Sequence, residues 1–305
     1  MRKLALFALA ILIVLPVFGQ QQPPDWEKVQ IKLQKLADNV YLVQGIGGNI
    51  GAYVGDDGIV LIDTEQVQLG PKIEAALKTV SDKPVKYVVN THWHGDHTGG
   101  NAYFGKYAVI IAQDDVRTMM QTLHDRQGRI TNLAVSLPVI TFSDQLTLHM
   151  AAGDLHVVHF AHGHSGSDSV VLFPQNKVVH MGDDLLNFDP PRYPDIDFEK
   201  DGGGIDGVEA AAEYVLARVS DDAKLIPGHG ALATKADLAK YLTVLKDTAA
   251  AVQAGINQGK NLEQLKQEKV LAKWDYLGQG PREDAYIERL YNSLTHKSDT
   301  PEGAQ

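Results

Sequence analysis

The 305-residue chain contains no cysteine, which excludes disulfides, thiolate metal ligands and a cysteine nucleophile. Any metal site must therefore use histidine, aspartate or glutamate, a donor set that suits zinc, iron or manganese. Basic residues are in the minority, because 28 lysines and arginines face 38 acidic residues, for a net charge of −10. Since no basic cluster occurs either, a nucleic-acid partner is not expected.

The longest apolar run lies at the amino terminus. Arg2 and Lys3 precede residues 4–18, which are almost all apolar and form a segment that is short for a membrane span. We predict a signal peptide at residues 1–19, cleaved before Gln20, with an uncleaved anchor as the alternative. The expected protein is secreted or periplasmic and has no membrane attachment after cleavage. Residues 20–38 are predicted to form a leader.

Beyond the leader, the apolar pattern predicts an α/β fold. Strands are expected at 40–43, 49–54, 58–64, 84–90, 145–149, 155–160, 169–173, 177–180 and 224–226. Helices are expected at 70–80, 114–126, 205–219 and 235–254, and a long loop at 189–204. This order indicates two halves packed sheet on sheet with helices outside. We expect one domain at 39–260 and a C-terminal helical extension at 261–305 packed on it.

Three histidines and one aspartate lie within six residues, His92 to His97, directly after a predicted strand. Residues two apart in extended backbone point to the same side, so His92 and His94 can bind one cation together. Gly95 permits a sharp turn, after which Asp96 and His97 project towards a second position. The segment predicts half of a two-metal site at a strand exit, where α/β enzymes place ligand contacts.

Further oxygen and nitrogen donors follow other predicted strands. His164 lies in a glycine-rich corner between two strands, with His162 as its rival. Asp183 follows the strand at 177–180 and could bridge two cations, with Asp184 as its competitor. His229 ends a Pro-Gly corner after the strand at 224–226. Each alone has an ordinary explanation as a turn or loop residue, so these residues complete a site only together.

With these residues assembled, the chain resembles the metallo-β-lactamase superfamily of metallohydrolases from about residue 39 to 231. The resemblance rests on Leu61-Ile62-Asp63-Thr64, Thr91 to Gly100, the His164 corner, Gly182-Asp183 and Pro227-Gly228-His229-Gly230. It implies an αββα sandwich of two mixed sheets, with helices on the outer faces and the metals at the edge of both sheets.

The resemblance also implies a ligand set and a cofactor. The first metal would be held by His92, His94 and His164, the second by Asp96, His97 and His229, with Asp183 bridging. Asp63 looks like the family's buried acid, which orients a metal-bound imidazole from behind; the alternative is an aspartate that caps local backbone. The expected cofactor is two Zn²⁺ ions, with iron or manganese as possible substitutes.

The chemistry follows from the ions. Two cations lower the pKa of a shared water molecule, and the bridging hydroxide would attack a carbonyl carbon. Asp96 would be a ligand and also the catalytic residue that accepts or orients the proton. The expected function is therefore an exported dinuclear zinc hydrolase acting on a small-molecule ester, thioester, lactone or β-lactam.

The substrate is left open by two departures from known branches. Asp183 stands where one major class of true metallo-β-lactamases has cysteine, which looks more like the glyoxalase II branch. Yet Gly228 to Ala231 is not the typical glyoxalase II ending, and residues 235–291 lack the basic cluster expected for a glutathione thioester.

Three other functions fit the sequence less well. An iron-dependent oxidoreductase of the persulfide dioxygenase type shares the fold and motif style, but the complete set of seven donors argues against it. A nucleic-acid-processing relative conflicts with the acidic charge. A non-catalytic metal-binding module conflicts with retention of the whole ligand set.

Overall fold

The structure is a computed structural model that describes residues 24–124, 132–196 and 201–295. The predicted signal peptide lies outside these residues. None of the helices in the described ranges combines the length and the apolar composition that crossing a membrane requires.

A seven-stranded mixed sheet forms the first half. Its strands, in spatial order, are β1 (Lys32–Lys35), β2 (Val40–Gln44), β3 (Ile50–Gly55), β4 (Gly58–Ile62), β5 (Val85–Val89), β6 (Val109–Gln113) and β7 (Ile140–Phe142). The first four strands pair antiparallel, and β4 to β7 pair parallel. All five residues of β4 are buried, as expected for a continuous apolar strand covered on both faces.

A second mixed sheet forms the other half. The remaining strands are β8 (Gln145–Leu148), β9 (Leu155–His159), β10 (Ser169–Phe173), β11 (Val178–His180), β12 (Leu186–Asn187), β13 (Lys224–Ile226), β14 (His229–Gly230) and β15 (Ala233–Thr234). Six of them form the sheet in the order β15-β13-β11-β10-β9-β8, and β12 pairs with β14 separately. The contact between β11 and β13 is parallel.

The helices have the following bounds: α1 (Gly70–Leu77), α2 (Gly95–Thr98), α3 (Asn101–Phe104), α4 (Asp114–Met119), α5 (Leu133–Ser136), α6 (Ile205–Leu216), α7 (Lys235–Asn257), α8 (Leu262–Gln267) and α9 (Pro281–Thr295). Short 3-10 turns occur at Trp26–Lys28, Val67–Leu69, Pro174–Asn176, Gly182–Asp184 and Ala272–Leu277, and a π-helical turn at Met120–His124. A reciprocal capping box between Thr234 and Asp237 fixes the start of α7.

The core is layered. Residues of both sheets, such as Ile62 and Val171, share one buried cluster between the sheets. Helices α1 and α3 cover the outer face of the first sheet, and α6 and α7 cover that of the second. The predicted αββα sandwich of two mixed sheets is thus confirmed.

The C-terminal helices α8 and α9 pack on α6 and α7. Val208 of α6 and Leu245 of α7 share a buried cluster with Leu265 of α8 and with Tyr286 and Leu290 of α9. The domain limits at 39, 260 and 305 stay a prediction, because residues 296–305 lie outside the described ranges.

Several elements differ from the prediction. Strand β1 lies inside the range 20–38 interpreted as a leader, where it forms an edge of the first sheet against β2. Its sequence, Lys-Leu-Gln-Lys, is largely exposed and lacks an apolar run, which is why no strand was predicted. Strands β6 and β7 were also missed. The helix expected at 114–126 is α4 followed by the π-helical turn, and its last two residues lie outside the described ranges.

Candidate metal centre

The seven predicted donors converge at one edge of the sandwich. Parallel strands deliver their carboxyl ends to the same edge, so β5 leads to His92 in one sheet, while β11 and β13 lead to Asp183 and His229 in the other. The hairpin between β9 and β10 adds His164 at that edge. A backbone hydrogen bond of 2.8 Å from Ser169 to Thr91 joins the sheets beside the donors.

Three overlapping groups of donors have ligand atoms that all lie within 4.8 Å of one another, and each group could hold a metal ion. The groups are His92, His94 and His164; His92, His97 and Asp183; and Asp96, His97 and His229. Seven residues from distant parts of the chain therefore form one continuous cluster that matches the predicted ligand set.

Asp183 lies between the two outer groups. Its Oδ1 is 3.2 Å from His97 Nε2, and its Oδ2 is 3.5 Å from His229 Nε2 and 3.6 Å from His164 Nε2. Oδ2 thus lies near a donor of each proposed metal position, and Oδ1 lies near His97 of the second position. This is the arrangement that a bridging ligand needs.

Two polar atoms indicate that the cluster is built for cations. His92 Nε2 and Asp183 Oδ1 are buried and form no hydrogen bond within the described residues. Leaving such atoms unsatisfied is costly. His94 Nδ1 and His164 Nε2 also face each other at 3.0 Å, as do His97 Nε2 and His229 Nε2 at 3.3 Å. Imidazole nitrogens that converge with carboxylate oxygens are the donors zinc takes, so the residues fit two such ions.

Asp63 orients the site from behind. Its carboxylate is fully buried and accepts hydrogen bonds from Thr91 N (2.8 Å), Thr91 Oγ1 (2.7 Å) and His97 Nδ1 (2.7 Å). Because Nδ1 donates this hydrogen bond, Nε2 is the nitrogen of His97 that is left to bind a cation in the cluster. Thr91 Oγ1 in turn lies 3.0 Å from His92 Nδ1, so one aspartate is connected to both halves of the site.

The predicted long loop at 189–204 supplies two contacts that the sequence did not reveal. His94 Nε2 lies 2.9 Å from Asp201 Oδ2, and His164 Nδ1 lies 2.7 Å from the carbonyl oxygen of Asp195. Each contact engages the nitrogen that faces away from the cluster. Neither residue belongs to a motif or a strand end, so only the folded structure identifies them.

The charges of the donors depend on one another. Burial lowers the pKa of His97, but the charges of Asp183, Asp63 and Asp96 outweigh it and raise that pKa well above its ordinary value. Burial lowers the pKa of His229 as well, and hydrogen bonds to Asp183 and Asp96 raise it to about 9. Metal binding must therefore displace protons from these two histidines.

His92 behaves in the opposite way. Burial, followed by the charge on His97, lowers the pKa of His92 well below its ordinary value. The pKa of Asp183 is raised by burial, but the charge on His97 lowers it well below the usual range. A neutral imidazole and an ionised carboxylate are the ligand forms that metals bind.

Asp184, one of the two rival donors, has another role. His162 and Asp184 belong to none of the candidate metal groups found among the described residues. Asp184 Oδ1 instead accepts the backbone N–H of His164 at 3.0 Å, and burial raises the pKa of Asp184 to about 7. Asp184 therefore holds the His164 corner in place. His180 is also outside these groups and contacts the carbonyl oxygen of Asn49 at 3.0 Å.

Two glycines make room for the ligands. A Cβ at Gly228 would lie 1.8 Å from Asp183 Oδ1, and a Cβ at Gly48 would lie 2.3 Å from His97 Cε1. Any other residue at either position would displace a donor. The Pro-Gly corner before His229 thus has a steric function as well as a conformational one.

A pocket of about 540 Å³ opens from the donors. Arg192 and Tyr193, from the predicted long loop at 189–204, both line it. Tyr193 is buried, donates a hydrogen bond of 3.2 Å to the carbonyl oxygen of Trp274 and stacks on Tyr286, so its hydroxyl is already engaged. Trp93 packs against a buried cluster with Val116 and is not part of the pocket wall.

Comparison with known proteins gives the same assignment. The profile of the Metallo-beta-lactamase superfamily matches residues 43–229, more than half of the chain. The type 2 metallo-beta-lactamase of Bacteroides fragilis is 23% identical over 210 residues, which is 66% of this chain and 79% of that protein. A metallo-beta-lactamase from Pontibacter korlensis superposes with a TM-score of 0.59 at 20% identity, covering 71% of this chain and 99% of that chain.

A more local similarity connects the chain to a sulfatase. The linear primary-alkylsulfatase of a Pseudomonas species is 27% identical over 103 residues, which is 32% of this chain and only 18% of that protein. The fold, the converging donors and the profile match agree, and the chain belongs to the metallo-β-lactamase superfamily.

Proposed function

We propose that this chain is an exported hydrolase that holds two zinc ions at the seven-donor cluster and cleaves a carbonyl bond in a small molecule. The observation that carries the proposal is the convergence of donors from both sheets into overlapping groups with ligand atoms within 4.8 Å. Membership of the superfamily supports hydrolytic chemistry. The apolar segment at residues 4–18 supports export.

Two zinc ions bound there would lower the pKa of a water molecule between them and polarise the carbonyl of the substrate. The chain's own residues supply orientation. Asp63, Asp195 and Asp201 fix three imidazoles through the nitrogens that face away from the cluster.

Asp96 is the residue to which we assign proton transfer. Its side chain is 36% exposed, against 7% for Asp183, and its Oδ2 lies 3.1 Å from His229 Nε2. A carboxylate that borders both the cluster and the pocket can orient an attacking water molecule and accept its proton. Asp183, which is buried, is suited to bridging instead.

The test is hydrolysis by the purified mature protein with added zinc, with and without a chelator. The panel contains a chromogenic β-lactam, an aryl ester, a thioester, a lactone and an alkyl sulfate, the last because of the similarity to the alkylsulfatase. Chelator-sensitive turnover of a carbonyl substrate, lost in Asp96→Ala, is expected. Protein that carries two zinc ions and hydrolyses none of the carbonyl substrates would refute the proposal.

A further inference from the structure

The pocket beside the donors has two chemically different ends. One end consists of the donors His94, Asp96, His164, Asp183 and His229. The other end is formed by α9 and by the segment before Tyr193, which bring the three arginines Arg192, Arg282 and Arg289 to the same pocket. Arg192 is distant in sequence from the other two, and Arg282 and Arg289 are two helical turns apart on α9, so no basic cluster is visible in the chain itself.

The three arginines differ in their ionic partners among the described residues. Arg289 forms an ion pair with Asp195. Arg192 and Arg282 form no ion pair with any residue in the ranges 24–124, 132–196 and 201–295, and both are exposed. In a chain with a net charge of −10, two guanidinium groups that have no ion pair within the described residues give this pocket wall a local positive charge.

An aromatic bridge connects Arg192 to the donors. The Phe188 ring stacks on the His229 ring at 6.2 Å between centroids and an interplanar angle of 19°. The Arg192 guanidinium carbon lies 4.2 Å from the centroid of the same Phe188 ring. The two separations, 6.2 Å and 4.2 Å, place the guanidinium carbon no more than 10.4 Å from the His229 ring centroid.

The pocket wall is apolar in part, because Leu186, Phe188 and Leu277 line it. Phe188 contacts both His229 and Arg192. A molecule that reaches from His229 to Arg192 therefore passes an apolar surface before it meets a positive charge. A guanidinium group is matched in geometry to a carboxylate or another oxyanion, which it can bind with two parallel hydrogen bonds.

We propose that the substrate carries an oxyanion, separated by an apolar spacer from the bond that is cleaved, and that Arg192 and Arg282 determine specificity by binding this oxyanion. The inference rests on the proposed function, which places the cleaved bond at the donor end. The residues that select the substrate thus come partly from α9, which lies beyond the region matched by the family profile.

The test measures binding without catalysis, so that it is independent of the hydrolytic activity. Isothermal titration calorimetry on the chelator-treated, metal-free protein compares 4-phenylbutanoate, 4-phenylbutyl sulfate and the neutral 4-phenylbutanamide. The variants are Arg192→Gln, Arg282→Gln and the double variant. The matched control is Arg218→Gln, because the exposed Arg218 guanidinium also lies over an aromatic ring, 3.5 Å from the Tyr214 centroid, and lines a different cavity.

At least one anionic probe is expected to bind about 10- to 100-fold more tightly than the amide, since hydrogen bonds to charged groups contribute that much. The double variant should reduce this preference to within about twofold, and Arg218→Gln should leave it unchanged. A tighter fit of the carboxylate or of the sulfate would identify the oxyanion.

Equal binding of the anions and the amide, no binding of either, or a preference that survives in the double variant would overturn the proposal. An anion preference without any metal-dependent hydrolysis would instead contradict the proposed function and leave the arginine site intact. The two ideas can therefore fail separately.

Discussion

Replacing Asp63 with asparagine tests how the site is oriented. Asp63 has a φ of 67°, a left-handed conformation that asparagine also adopts readily, so the backbone can stay in place. Asn Oδ1 can still accept from Thr91 N. The amide group, however, would donate where Asp63 Oδ2 now accepts from His97 Nδ1 at 2.7 Å. His97 would then carry its proton on Nε2, the atom that faces the cluster.

The magnitude follows from the role of such contacts. Loss of a hydrogen-bonded partner behind a metal-bound imidazole typically weakens metal affinity about 10- to 100-fold, equivalent to about 1.4–2.7 kcal/mol. We expect one zinc ion to be lost preferentially from Asp63→Asn, namely the ion assigned to Asp96, His97 and His229. Competition with a chromogenic chelator measures both affinities, and circular dichroism checks that the variant is folded.

The chain offers a matched control. His149 Nδ1 lies 2.9 Å from Asp154 Oδ1, a contact of the same type, but the histidine side chain is 78% exposed. Asp154→Asn should leave both zinc affinities within about twofold of the wild type. Two zinc ions bound to Asp63→Asn with wild-type affinity would refute the orienting role of Asp63.

Three further outcomes are expected. Gly228→Ala, whose Cβ would lie 1.8 Å from Asp183 Oδ1, should lose at least one metal and about 100-fold in activity, and normal metal content would contradict this. Arg289→Met removes the ion pair to Asp195, whose carbonyl oxygen contacts the ring of His164. This variant should weaken zinc binding at the first site about tenfold, and Arg289→Lys should weaken it less. Unchanged zinc affinities in chelator competition would contradict this. The metal-free protein should lose stability at high pH. The reason is that the pKa of His229 is about 9 in the folded protein and 6.5 in the unfolded chain. The stabilisation from this proton is complete below pH 6.5 and is lost as the pH rises through about 9. Urea unfolding should show a decline of at most about 1.4 kcal/mol per pH unit for that histidine, and constant or rising stability between those values would contradict the assignment.

The metal donors could be predicted from the sequence because they follow a local pattern along the chain. The donors follow strand ends and glycine corners, so their spacing along the chain indicated them before any fold was known. The apolar run of β4 likewise predicted a buried strand, because a strand covered on both faces needs a continuous apolar segment.

Contacts between distant segments could not be predicted in this way. Asp195 and Asp201 lie in a loop without periodicity, and Arg282 lies on a helix whose position over the pocket is set by tertiary packing. The edge strand β1 was missed because exposed edge strands do not need an apolar pattern. Strand β6 differs from β1, because its run from Val109 to Ala112 is apolar and is typical of a buried strand.

The central claim is that the seven donors hold two metal ions, and direct counting of bound zinc tests it. Elemental analysis of the zinc-reconstituted, dialysed protein should give two zinc ions per chain, falling to one or none in His94→Ala and in Asp96→Ala with the fold retained. A wild-type protein that retains no zinc, or variants that still retain two ions, would contradict the account.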